Sequence, residues 1–255
     1  MLSQLMAKVL SGRSGYISGL AFLLLLVVFS SEVQGEDFKI LLVRESGVDQ
    51  SSGKPTGRLV VNGGYLSGIA EGVTGVIWRK NKIKGQIEVA DLTITEVGPY
   101  EATGTYVLRH PDLFVQKKDR ITLTVTVPSD ADIVAKAVES LDDDNCFDAV
   151  LYFERIICPN KDNEFVLKKA EECQARAEKK LAGGIVTETG RARYLDIWEQ
   201  LELVETLNEY KNNLAADIYL KRIFSQDSTL TKAKELRQLI PAQDLSALFS
   251  TGRCK

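Results

Sequence analysis

From Asp37 to about Val127 the chain alternates short apolar, β-branched runs with clusters of Gly, Asn, Asp and Pro. The runs Phe38–Val43, Arg58–Val61, Val73–Arg79, Ile83–Val97, Ala102–Leu108 and Ile121–Val127 read as six strands. Ile121, Leu123, Val125 and Val127 alternate with three threonines, so one face is apolar and the other hydroxylated. Ile87, Val89 and the stretch Leu92–Ile94 predict a long strand that changes face partway, as a β-bulge would make it do. Six short strands on this spacing predict a small antiparallel barrel or sandwich.

After Pro128 the period changes. Ser129 or Asp130 can cap a helix running to about Leu141, and Asp144 or Asn145 a second ending near Pro159. Further helices are expected over Asn163–Leu181, Arg191–Tyr210, Leu214–Phe224 and Leu230–Ile240, with a short last one over Asp244–Phe249. Gly183-Gly184 and Pro241 serve as stops. Val166, Ala170, Cys173, Ala177 and Leu181 form one stripe at steps of three and four, as do Tyr194, Ile197, Leu201 and Val204. Such stripes are core-facing surface. The predicted fold is therefore α+β: an N-terminal small antiparallel β-barrel or sandwich (36–128) followed by an all-α, helical-hairpin domain (129–255).

Two resemblances sharpen this outline. Ala137, Ala149 and Phe153 stand at separations of twelve and four, with Asn145-Cys-Phe-Asp-Ala149 as turn and helix start. The set resembles the small, small and aromatic positions of the tetratricopeptide repeat. Ser140 departs from the aromatic usual at its place, and Pro159 falls two residues early. Val204, Ala216 and Leu220 form a second, weaker unit. This resemblance implies stacked helix pairs presenting a groove for a protein partner. In the other half, the glycine-marked loop Val61–Val73 leads to Val-Ile-Trp78-Arg79, a long strand pair, and a closing Asp119-Arg-Ile121. The layout resembles the C-terminal β-barrel domain of the flagellar assembly protein T family, with Lys118-Asp119 where that family has Gly-Asp. It implies a non-enzymatic envelope module with no catalytic residues to carry over.

The N-terminal end adds a location. Lys8 and Arg13 precede an unbroken apolar run, Leu20–Phe29, whose ten residues are half of what a spanning helix needs. Val33 and Gly35 suit the positions before a signal-peptide cleavage, which places the cut between Gly35 and Glu36. Residues 1–35 are read as a signal peptide, with an uncleaved membrane anchor as the alternative. No cysteine follows the run in the manner of a bacterial lipoprotein. The expected location is exported, periplasmic or secreted.

Charge and motifs narrow the function class. A formal charge of −3 with 26% charged residues supplies no electrostatic footprint for nucleic acid. His110, the single histidine, precedes Pro111 in an expected loop, and Ser67 lacks the nucleophile-elbow pattern. Asp142-Asp-Asp144-Asn145 is followed by Cys146 and Phe147 where a calcium loop needs oxygen ligands, so it reads as a turn and helix cap. No phosphate loop or dinucleotide fingerprint occurs. No catalytic, cofactor-binding or metal-binding residue is assigned, and no cofactor is expected.

Cys146, Cys158, Cys173 and Cys254 all lie in the helical half. An even count in an exported chain predicts disulfides. Cys146 and Cys158 would stand about 18 Å apart along one helix, too far to bond. Across the next hairpin Cys146 and Cys173 would be nearly level, which predicts Cys146–Cys173 and leaves Cys158–Cys254. The functional expectation is an exported, non-enzymatic scaffold or adaptor of the cell envelope that binds a protein partner through its helical domain. An exported hydrolase with an unrecognised active site, or a tethered binding protein with an uncleaved anchor, are the alternatives. Membrane contact is expected only through that apolar segment.

Overall fold

A computed structural model describes residues 34–83, 85–182 and 195–243. Six strands, β1 (Gln34–Val48), β2 (Pro55–Val61), β3 (Thr74–Asn81), β4 (Gly85–Val97), β5 (Ala102–Leu108) and β6 (Arg120–Val125), close into a barrel in the order β1-β2-β5-β4-β3-β6. The pairs β1–β2, β2–β5, β5–β4, β4–β3 and β3–β6 are antiparallel. Of the two predicted architectures, the barrel is the one formed. A 3-10 turn, Tyr65–Ser67, bridges β2 and β3.

Alternation places Leu59, Val61, Ile77, Val89, Leu92, Ile94, Ile121, Leu123 and Val125 inside the barrel. The predicted change of face in the long strand is present. Ile77 pairs with Ala90 and Trp78 with Glu88, so Val89 is the extra residue of a bulge, and Val89 and Ala90 are both buried. Val127 does not continue the β6 stripe: the strand ends at Val125 and Val127 is 72% exposed. Close strand approach is bought with small residues. A Cβ on Gly57 would strike the Arg44 carbonyl and the Tyr106 ring.

Six helices follow among the described residues: α1 (Asp130–Asp142), α2 (Cys146–Ile156), α3 (Glu164–Ala182), α4 (Ile197–Glu209), α5 (Asn213–Gln226) and α6 (Thr231–Leu239). Ser129 and Asp132 form a capping box on α1, and Asp196 and Glu199 form one on α4. The starts expected at 191–194 and the last helix over 244–249 lie outside the described residues, as do Gly183 and Gly184.

The hairpins α1–α2 and α4–α5 are built alike. Each turn carries one residue at positive φ, Asp144 at 60° and Lys211 at 58°. The next residue, Asn145 or Asn212, caps the second helix by accepting from the backbone N–H three positions on. Asn145/Asn212, Ala149/Ala216, Tyr152/Tyr219, Arg155/Arg222 and Ile156/Ile223 are identical pairs at one constant separation. Ala149 and Ala216 are fully buried, as close helix crossing requires.

The described residues from Gly35 onward form one compact unit. Leu41 of β1 and Val60 of β2 point outward from the barrel and join the helical core. Asp217 of α5, fully buried, accepts from the Gln243 backbone N–H at 3.0 Å and pairs with Lys221 and Arg237, which holds α6 and the following turn against α5.

Candidate functional site

The barrel meets the helices along a polar seam. Arg58 of β2 pairs with Glu199, whose side chain is 1% exposed, and Arg44 of β1 pairs with Asp196. Both acids belong to the α4 capping box, so the groups that start this helix also hold it on the barrel. Asn62 donates from Nδ2 to the Tyr210 hydroxyl at 3.3 Å, while the Lys39 ammonium lies 5.5 Å from that ring.

The equivalent tyrosines of the two hairpins complete the seam. Tyr152 meets Tyr65 edge-on, ring centroids 5.8 Å apart. Tyr219 donates its hydroxyl to Glu101 Oε2 at 2.5 Å, with both residues buried. Burial pushes both phenols well above their ordinary range, so both remain neutral. Arg222 lies over the Tyr219 ring at 5.0 Å, and its Nη1 stands 3.3 Å from Asp148 Oδ1 without hydrogen-bond geometry. Asp148 Oδ2 accepts from Asn145 Nδ2 at 2.7 Å. Tyr152, Tyr219, Glu101, Asp148 and Arg222 are buried, and they hold the helices on the barrel within one compact unit.

On the opposite wall of the barrel, β3, β4 and β6 leave an open trough of about 540 Å³. It is lined by Trp78, Thr93, Thr122, Gln86, Glu88 and Asp91, among others. The Trp78 indole donates from Nε1 to Thr122 Oγ1 at 2.9 Å, and that hydroxyl donates to Asp37 Oδ1 at 2.8 Å. The ring is thereby fixed on an outward-facing position. Arg109 donates from Nη2 to Asp91 at 2.7 Å and also pairs with Glu88, so one cation orients both carboxylates.

Below the trough a second ion pair holds the wall. Asp119, 1% exposed, accepts from Arg79 Nε at 2.6 Å and Nη2 at 2.9 Å, and from the Gln116 backbone N–H at 2.8 Å. Donating to Asp119 raises the pKa of the Arg79 guanidinium above its ordinary value. Arg79 and Asp119 are the two polar ends of the barrel layout seen in the sequence, and the fold brings them together to pin the loop before β6.

The cysteine expectations need one correction. Cys146 and Cys173 are buried free thiols, not a disulfide. The hairpin does bring them into contact, but each sulfur meets an oxygen. Cys173 Sγ points at the Cys146 carbonyl oxygen at 3.5 Å, and Cys146 Sγ turns toward Asp144 Oδ1 at 3.8 Å. Bond formation demands a specific Cβ–S–S–Cβ geometry, which level placement alone does not supply. Burial pushes both thiols up. Cys158 is disulfide-bonded, and Cys254 lies outside the described residues.

Gly35 and Glu36 open strand β1, so cleavage between them would trim only the first two residues of that strand. His110 is an exposed loop residue whose Nδ1 accepts from the Asp112 backbone N–H at 3.3 Å. Asp144 is paired with Lys180 at 2.8 Å and Asn145 is a helix cap, the turn role expected of this acidic run. No cluster of three His, Cys, Asp or Glu side chains suited to a metal occurs among the described residues. Among them, no helix is long and apolar enough to cross a membrane.

The trough and the seam escaped sequence reading because their members are far apart in the chain. Glu101 and Tyr219 could have been flagged only through the repeated tyrosine of the two hairpins. No family model, curated protein or solved structure matches the chain.

Proposed function

We propose that the protein is an exported, non-enzymatic scaffold or adaptor of the cell envelope that binds a protein partner through its helical domain. The observation that carries this reading is the duplicated hairpin. Two helix pairs with the same turn, the same Asn cap and the same buried Ala are held on one wall of a barrel. Stacked helix pairs of this kind serve as binding surfaces because successive repeats extend one face. The tetratricopeptide-like positions Ala137, Ala149 and Phe153 are all fully buried, as their roles in close helix packing require. Phe165 and Leu239 expose apolar side chains on the helical side at 55% and 68%. The bonded Cys158, with Cys254 as its proposed partner, supports an oxidising compartment.

Crosslinking of the tagged full-length chain in its own envelope tests the reading. A partner crosslinked at a fixed ratio, and lost in Phe165→Glu or Leu239→Glu, is the expected result. A partner retained equally in both variants, or none at all, overturns it. N-terminal sequencing of the mature protein tests the export step: a start at Glu36 is expected, and an intact Met1 would favour a tether.

A further inference from the structure

We propose that the barrel wall turned away from the described helices binds a neutral polysaccharide strand in the trough of β3, β4 and β6. This does not rest on the adaptor reading, because the helices occupy β1 and β2 on the other side.

The lining decides the class of ligand. It contains no Lys or Arg, and its ionised members are Glu88 and Asp91. Phosphate, nucleic acid and anionic lipid would meet no cation in the lining, since Arg109 is engaged by both carboxylates and the exposed Arg120 and Lys80 stand only at its border, across the ladder from Trp78 and Gln86. A sugar ring has an apolar C–H face and a rim of hydroxyls. The trough supplies the complement of each: the Trp78 ring for the face, and threonine hydroxyls, the Gln86 amide and oriented carboxylates for the rim. The volume, about 540 Å³, falls within the range of small-molecule and short-oligomer sites. By analogy only, sheet faces of other small barrels take oligosaccharides in this manner.

The trough is also prearranged. The Trp78–Thr122–Asp37 hydrogen-bond chain fixes the ring without any help from the barrel core. The bulge at Val89 sits directly opposite Trp78, and bulges of this kind re-aim neighbouring side chains toward a site. It sets Glu88 across from the indole, where Arg109 holds it. Ordered polar groups around a fixed aromatic lower the entropy lost on binding.

The test is titration of the full-length protein with neutral hexasaccharides of glucose, mannose and N-acetylglucosamine, read by calorimetry and tryptophan fluorescence. Binding of at least one is expected. Trp78→Ala should weaken it at least about tenfold, the scale of losing a central aromatic anchor. Trp78 is half-buried, so Thr93→Arg, at an exposed trough position, provides a second variant that fills the space without touching the core. Trp198→Phe, on the helical side, should leave binding unchanged and removes the other fluorophore. Failure of all three sugars to bind, binding indifferent to both trough variants, or preference for an oligolysine peptide would each overturn the proposal.

Discussion

Replacing Tyr219 with Phe isolates a single hydrogen bond at the barrel–helix seam. The ring is fully buried and Glu101 is 1% exposed, so no water stands ready to replace the lost donor. Phe fills nearly the same volume, which removes any cavity contribution. A buried hydrogen bond contributes about 1 kcal/mol net, and leaving its buried acceptor short of a donor costs about 1–3 kcal/mol. Tyr219→Phe is therefore expected to destabilise the protein by about 2 kcal/mol, roughly a thirtyfold change in the folding equilibrium. Tyr152 occupies the same position in the first hairpin and meets the barrel through its ring, an edge contact that Phe preserves. Tyr152→Phe should therefore cost less than about 0.5 kcal/mol. Urea denaturation followed by circular dichroism measures both, and a cycle with Glu101→Gln measures the coupling. Equal effects of the two Tyr→Phe changes would refute the assignment of Glu101–Tyr219 as the directional contact of the seam.

Asp119→Ala should destabilise the barrel by about 3 kcal/mol in the same denaturation assay, because it removes the carboxylate paired with the Arg79 guanidinium, which keeps the Phe114 carbonyl, and the acceptor of the Gln116 N–H. A cost under about 1 kcal/mol would show that the pair does not hold the loop. Asn145→Ala and Asn212→Ala should each cost about 1 kcal/mol, the typical value for an N-cap, with unfolding midpoints as the readout. Cys146 and Cys173 should resist alkylation in the native state, since burial keeps both as thiols, and should label under non-reducing denaturation; a labelled count below two would contradict their assignment as free. Hydrogen bonding from Lys180 holds the Asp144 carboxyl below its usual value. A carboxyl depressed in the folded state stabilises above its unfolded pKa, and the contribution is lost as pH falls from about 4 through the folded value. Lys180→Met should remove that acid dependence and move the Asp144 titration upward in a carboxyl NMR experiment.

The legible part of the fold was the part written locally. Alternation at Ile121, Leu123 and Val125 marked β6, but the exposed Val127 shows where tertiary structure ended the strand. A cap at Asp144 or Asn145 was legible because such a side chain answers only to the next turn of backbone, and the fold gives that place to Asn145. The change of face in β4 was visible, and the fold adds that Val89 is the bulged residue and that Trp78 stands across from it. The level placement of Cys146 and Cys173 was readable from helix geometry, whereas the direction of each Sγ depended on which neighbouring oxygen it met.

By itself, then, the sequence determined the two periods, their boundary near Pro128, the caps, the strand runs and the repeated hairpin signature. These arise from contacts within a few residues and from the polar–apolar period of each segment. Tertiary structure alone decided that the sheet closes, that Leu41 and Val60 face helices instead of water, that Arg79 reaches Asp119 and that Tyr219 reaches Glu101. Such contacts join residues many positions apart, and no local propensity encodes which outward wall of a barrel a helix will cover. The same selection left Trp78, Glu88 and Asp91 on the wall that the described helices do not cover, where their surroundings made them a candidate site.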